Sequence, residues 1–199
     1  MGYVRLRPRP WPLGQDEAAR ARFREALQSL ESCPAEVELW FGDECGVLGD
    51  PVPRRRLAKK GSRPRLPYTG KHLKDNVVGA VRPQDGKFVS LILPEVNRET
   101  FQIFLDHLQP HLNRPYALLI LDNASWHKAK GLNWGDLIPV YLPPYSPDLN
   151  PVERIWLALK EAFFSWFVAK DHEALTGHLI TALRHYQDNP LLCQSLCHR

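Results

Sequence analysis

The sequence predicts an α/β domain, a mixed β-sheet with helices on both faces. Three observations carry this. Residues 76–81 and 88–93 are β-rich runs around a turn signal, Arg82-Pro83-Gln84-Asp85-Gly86-Lys87. Residues 116–121 and 138–142 are further apolar strand-length runs. Periodicity near 3.6 residues marks helices before, between and after them.

Taken in order, residues 1–14 set Pro8, Pro10 and Pro12 among Arg5, Arg7 and Arg9, the pattern of an extended basic arm. Phe23, Ala26, Leu27 and Leu30 recur at i, i+3, i+4 and i+7, predicting a helix from about Asp16 to the Cys33-Pro34 stop. In residues 36–43, Val37, Leu39, Phe41 and Asp43 share one parity and Glu38 and Trp40 the other. That predicts a strand ending at Asp43. The next stretch has four prolines between 51 and 67 and reads as loop or irregular hairpin. The two β-rich runs then form an antiparallel hairpin. Phe101, Phe104, Leu105 and Leu108 mark a helix that Pro110 ends. Residues 116–121 are too apolar to have a wet face. Residues 138–142 predict a shorter strand, followed by the rigid loop Pro143-Pro144-Tyr145-Ser146-Pro147. A long helix follows from Pro151, with Val152, Ile155, Trp156, Leu159, Phe163 and Trp166 on one face. Leu175, Leu179, Ile180 and Leu183 give a last helix, stopped by Asn189-Pro190. Three antiparallel strands followed by βα units is the order of the ribonuclease H-like fold. The expected division is an arm and helix over 1–35, a central domain over 36–170 and a C-terminal helix over 171–199.

The 199 residues carry 26 basic and 22 acidic side chains, a net charge of +4. Hydrophobic residues are 44% and charged residues 24%, which excludes a disordered tail or a collagen-like fibre. No apolar run reaches the roughly 18 residues of a membrane span, and the N-terminus has no apolar signal core, so a cytoplasmic protein is expected. The charge is uneven. Arg54, Arg55, Arg56, Lys59, Lys60, Arg63, Arg65, Lys71 and Lys74 form a stretch with no acidic residue. The stretch is either a solvated surface loop or a phosphate-contacting DNA-binding segment. Four cysteines, Cys33, Cys45, Cys193 and Cys197, are expected to be reduced and structural.

Three carboxylates stand at predicted element ends. Asp43 and Asp122 close two strands, where ligands of open α/β sheets gather. Two like charges so placed repel, and a divalent cation relieves the repulsion. Glu153 sits in the first turn of the long helix. Asn150-Pro151-Val152-Glu153 reads as a capping box, yet the helical wheel puts Glu153 about 100° from Val152, at the edge of the buried face. Mg²⁺ suits such a set: it takes oxygen ligands and shares substrate phosphates. His127 lies five residues after Asp122. It is either an internally satisfied polar residue or a donor to a phosphate. Nucleotide-binding, dinucleotide-binding, serine hydrolase and zinc protease motifs are all missing.

Residues 121–128, LDNASWHK, and residues 142–156, LPPYSPDLNPVERIW, resemble the signature of mariner-superfamily transposases, in particular the bacterial insertion sequence 630 family. Phe41-Gly42-Asp43-Glu44 is similar to the family's first motif. The resemblance implies a DDE catalytic domain of ribonuclease H-like fold. Asp43, Asp122 and Glu153 would be catalytic and would bind two Mg²⁺ or Mn²⁺ ions, with Asn123, His127 and Asn150 in support. The implied reaction is cleavage and strand transfer of double-stranded DNA at element ends and a TA target. Only 30 residues separate Asp122 from Glu153, so a helix near 131–136 is expected to be vestigial. The N-terminal arm resembles the linker after a helix-turn-helix domain. An upstream helix-turn-helix domain or partner frame, and a homodimer, remain open. A non-catalytic DNA-binding remnant and a plain nuclease of the same fold are the alternatives.

Overall fold

The computed structural model describes residues 13–31, 38–52, 59–63 and 65–198. Most of the arm, the approach to the first strand at 32–37, and Arg54, Arg55 and Arg56 lie outside the described residues.

The sheet is built around β1 (Glu38–Leu48). Its first half runs parallel to β4 (Ala117–Leu121), with Phe41 opposite Ile120. From Phe41 onward it pairs antiparallel with β2 (Lys74–Arg82), and Asp43 lies opposite Gly79. The β2–β3 hairpin, closed by β3 (Lys87–Leu93), forms one edge, and β5 (Leu137–Tyr141), parallel to β4, forms the other. The order is β3-β2-β1-β4-β5, the mixed sheet that the sequence predicts.

Strand alternation divides the core into two layers. Trp40, Val78, Leu119 and Leu121 face α2 (Arg98–Leu108), which buries Phe101, Phe104, Leu105 and Leu108 against them. Asn97 caps α2, its Oδ1 accepting from the Thr100 N–H while Thr100 Oγ1 accepts from the Asn97 N–H. Leu39, Phe41, Cys45, Val47 and Ile120 face the opposite layer. There lie α3 (Val152–Phe164), α4 (His172–Gln187) and α5 (Pro190–Cys197). Phe23, Leu27 and Leu30 of α1 (Glu17–Glu31) pack on that second layer.

Three expectations are corrected. β1 does not end at Asp43 but continues to Leu48, because β2 keeps pairing with it after β4 has stopped. α3 ends at Phe164, so Trp166 is not on its buried face and is 55% exposed. Asn189-Pro190 does not end the helical region. Pro190 starts α5, since proline at the first helical position loses no hydrogen bond. Residues 131–136 hold no helix, in keeping with a vestigial one, and between β4 and β5 the chain makes a single 3₁₀ turn over Ser125–Lys128. No described helix is long and apolar enough to cross a membrane.

Candidate active site

Asp43 and Asp122 each lie two residues beyond the parallel pair Phe41–Ile120. Asp43 shares its parity and faces the α3 layer, while Asp122, just past the end of β4, opens on the same cavity. α3 begins there because Asn150 fixes its start. The Asn150 amide donates to the Gly42 carbonyl of β1 at 3.0 Å, and its Oδ1 accepts from the Val152 N–H at 3.3 Å. The Asn150 N–H donates to the Pro147 carbonyl at 2.9 Å, so the predicted capping box does not form and Glu153 is not a cap. Its carboxylate is free to join the other two. Asp43, Asp122 and Glu153 all line one cavity of about 480 Å³, walled on the far side by residues 142–147.

The electrostatics are those of crowded like charges. Burial, then Glu153, Glu44 and Asp122 in turn, push the Asp43 carboxyl up to about 8. Burial also raises Glu153, with Lys160 opposing it and Asp122 adding to it. Asp122 goes the other way, held down mainly by His127.

His127 takes the first of its two readings, an internally partnered polar residue. It is buried and does not face a phosphate. Its Nε2 lies 2.8 Å from Glu44 Oε1, and its Nδ1 lies 2.9 Å from Asp122 Oδ1, off the line of a well-aligned hydrogen bond. Burial alone would lower the imidazole; the two carboxylates overcome it and raise it to about 9. Glu44 stands beside the site, and the sequence reading, which quotes it only within the first motif, gives it no part there. Alternation puts the residue after Asp43 on the other side of the sheet, but only the fold brings His127 to it. Although Glu44, Asp122 and His127 cluster, they do not make a metal site of their own, since the two ring nitrogens diverge and each already faces a carboxylate.

The wall of the cavity is held from several directions. Asn123 donates to the Leu142 carbonyl at 2.6 Å, tying the end of β4 to the proline loop. Lys128 donates to Asn123 Oδ1 and lies 4.6 Å from the centre of the Tyr141 ring. Tyr145 takes a left-handed backbone, φ 56, and its carbonyl accepts from Gln15 at 2.7 Å. Of the basic stretch, Lys59, Lys60, Arg63, Arg65, Lys71 and Lys74 are described, and all six are exposed. None of them lines the cavity. The stem of their loop is closed where the Gly49 N–H donates to the Leu73 carbonyl, and Asp50 accepts from the Thr69 and Gly70 N–H groups.

Comparison with known proteins places this geometry. An uncharacterised Sinorhizobium fredii protein, y4pE/y4sA, is 34% identical over 122 residues, covering 60% of this chain and 90% of its own. The uncharacterised 39 kDa protein of insertion element IS630 from Shigella sonnei is 26% identical over 168 residues, 81% of this chain and 48% of its own. The chain thus spans about half the length of that second relative. Among solved structures, the Mos1 transposase paired-end complex with left transposon end superposes with a TM-score of 0.65 at 16% identity, over 99% of this chain and 67% of its own. That likeness shows the ribonuclease H-like fold. Residues 38–176, which hold all three carboxylates and their supporting loop, match the DDE superfamily endonuclease family, and the chain belongs to it.

Proposed function

We propose that this chain is the catalytic domain of an insertion-sequence transposase, cutting and rejoining DNA phosphodiesters with divalent metal ions. The observation that carries the reading is the lining of one cavity by Asp43, Asp122 and Glu153, contributed by a strand, a strand end and a helix start. Their donor set fits Mg²⁺ or Mn²⁺: three hard oxygen ligands, with the nearby imidazole turned to other partners. Two such ions would activate the attacking oxygen and stabilise the leaving one in an in-line displacement.

The chain's own residues bind and orient. Asp43, Asp122 and Glu153 would hold the ions. Asn150 keeps Glu153 in step with β1, and Asn123 keeps the proline loop against β4. The prolines fix the wall that confines the DNA strand. Water first attacks the phosphorus at an element end, and the bond to the 3′ oxygen breaks. The freed 3′-hydroxyl then attacks a target phosphodiester, and the bond forms there as the target's own 3′ oxygen leaves.

The substrate on this reading is double-stranded DNA, the element ends and a TA target, in the bacterial cytoplasm. Residues 36–170 form the catalytic unit, and the basic loop contacts phosphates through Lys59, Lys60, Arg63, Arg65, Lys71 and Lys74. An upstream helix-turn-helix segment or partner frame, in a homodimer, completes the assembly. The test supplies a duplex with a free 3′-hydroxyl end, a plasmid target and Mn²⁺. Joined product is expected. Nicked plasmid without joining marks a plain nuclease, and neither product marks a DNA-binding remnant; both overturn the proposal.

A further inference from the structure

We propose that Glu44 and His127 act together as a positioning clamp that sets Asp122 for metal binding, with β1 supplying both the ligand Asp43 and, one residue on, the root of the clamp. The inference rests on the reading above and deepens it.

The clamp is a chain of contacts. Glu44 Oε1 receives two donors, Trp126 Nε1 at 3.1 Å and His127 Nε2 at 2.8 Å. The other ring nitrogen lies 2.9 Å from Asp122 Oδ1, an oxygen that also accepts from the Ala124 N–H at 2.9 Å. The opposite end of His127 is equally fixed: its carbonyl accepts from Tyr141 Oη at 2.9 Å, and its ring packs 4.5 Å from that of Phe101. A carboxylate oxygen lies beside each ring nitrogen, so neither is open to a metal or to water.

Burial makes the arrangement expensive. The His127 side chain is fully buried and that of Glu44 only 16% exposed, while Asp122 is half exposed toward the cavity. Apolar residues of the same size would fill this part of the α2 layer at less cost in desolvation. What they could not do is hold a half-exposed carboxylate just past a strand end in one rotamer. Partners behind a ligand that fix its orientation typically change metal affinity by about ten- to hundredfold. Successive residues of one strand therefore serve the site from both faces of the sheet, Asp43 directly and Glu44 through His127.

The experiment is a Mn²⁺ titration followed by electron paramagnetic resonance on the whole chain, with melting of the metal-free proteins alongside. Glu44→Ala and His127→Ala should weaken Mn²⁺ binding about ten- to hundredfold. Glu44→Gln keeps an oxygen for both donors and should recover most of the affinity. A purely structural role predicts lower melting temperatures with unchanged Mn²⁺ affinity, and that result overturns the clamp while leaving the transposase reading intact. No Mn²⁺ binding by the wild type overturns both. Should the alanine variants not fold, His127→Gln decides in the same titration: Mn²⁺ binding weakened about ten- to hundredfold supports the clamp, and unchanged affinity sinks it.

Discussion

Arg20 grips Asp148 with both arms of its guanidinium, Nη1 to Oδ1 at 2.9 Å and Nη2 to Oδ2 at 2.7 Å. The Arg20 side chain is only 7% exposed, so this contact between α1 and the loop before α3 is more than a surface ion pair. With the Gln15 bond to the Tyr145 carbonyl and the Tyr145 ring against Gly14, it braces the cavity wall from outside. Arg20→Ala should lower stability by about 1–2 kcal/mol, a figure discounted for the exposure of Asp148. In a chain this size that is a melting shift of roughly 2–8 °C. No shift on calorimetry would mean that α1 is not docked.

The same pair sets a pH dependence. Arg20 holds the Asp148 carboxyl below its ordinary value of 3.8. The unfolded chain then binds the proton more readily, so the contribution is complete above that ordinary value and fades as pH falls through the folded one. Melting temperature plotted against pH should therefore drop less steeply on the acid side for Asp148→Asn than for the wild type. Superimposable acid limbs would contradict this.

Gly79 stands opposite Asp43 in the β1–β2 ladder, and a β-carbon there would lie 2.7 Å from Trp156 Cη2 and 3.1 Å from Phe88 Cε2. Trp156 is buried, one turn after Glu153 on α3. Gly79→Ala should cost about 1–3 kcal/mol by overpacking. It should also slow cleavage, because the ring that must give way belongs to the helix carrying Glu153. Unchanged denaturant midpoint and rate would mean that α3 has room to yield.

The predicted ribonuclease H-like order and all three carboxylates were legible in the sequence because they rest on local signals: the hairpin turn, the apolar run before Asp122 and the proline-rich entry to Glu153. What was not legible depended on partners far along the chain. β1 looks finished at Asp43 because that carboxylate interrupts the apolar parity of Leu39 and Phe41, yet β2 carries the strand on to Leu48. Asn150-Pro151-Val152-Glu153 looks like a cap, but Gly42, 108 residues away, takes the Asn150 amide. Pro190 looks like a stop, and whether a proline stops or starts a helix depends on what the following residues can bury. Here Cys193 and Cys197 are buried under α3 and α4. The role of Glu44 needed the fold as well, since nothing local says that His127 lies behind it.

Those two cysteines make a separate prediction. Burial pushes the Cys193 thiol up to about 12 and the Cys197 thiol to about 11, and Cys45 is raised by burial too. All three are free thiols. At pH 8 the folded chain should leave them unalkylated by iodoacetamide, as peptide mapping would show, and urea should expose them. Rapid native labelling at Cys193 would mean that α5 is not seated.

The central claim is that Asp43, Asp122 and Glu153 work as one unit. Cleavage rates of a labelled duplex in Mn²⁺ test it most directly, for Asp43→Asn, Asp122→Asn, Glu153→Gln and the triple variant. Groups acting as a unit are strongly non-additive, so each single change should cost about 10⁴-fold and the triple hardly more. Circular dichroism should show all four variants folded. A single variant that cleaves at the wild-type rate, or a wild type no faster than the triple variant, would contradict the account.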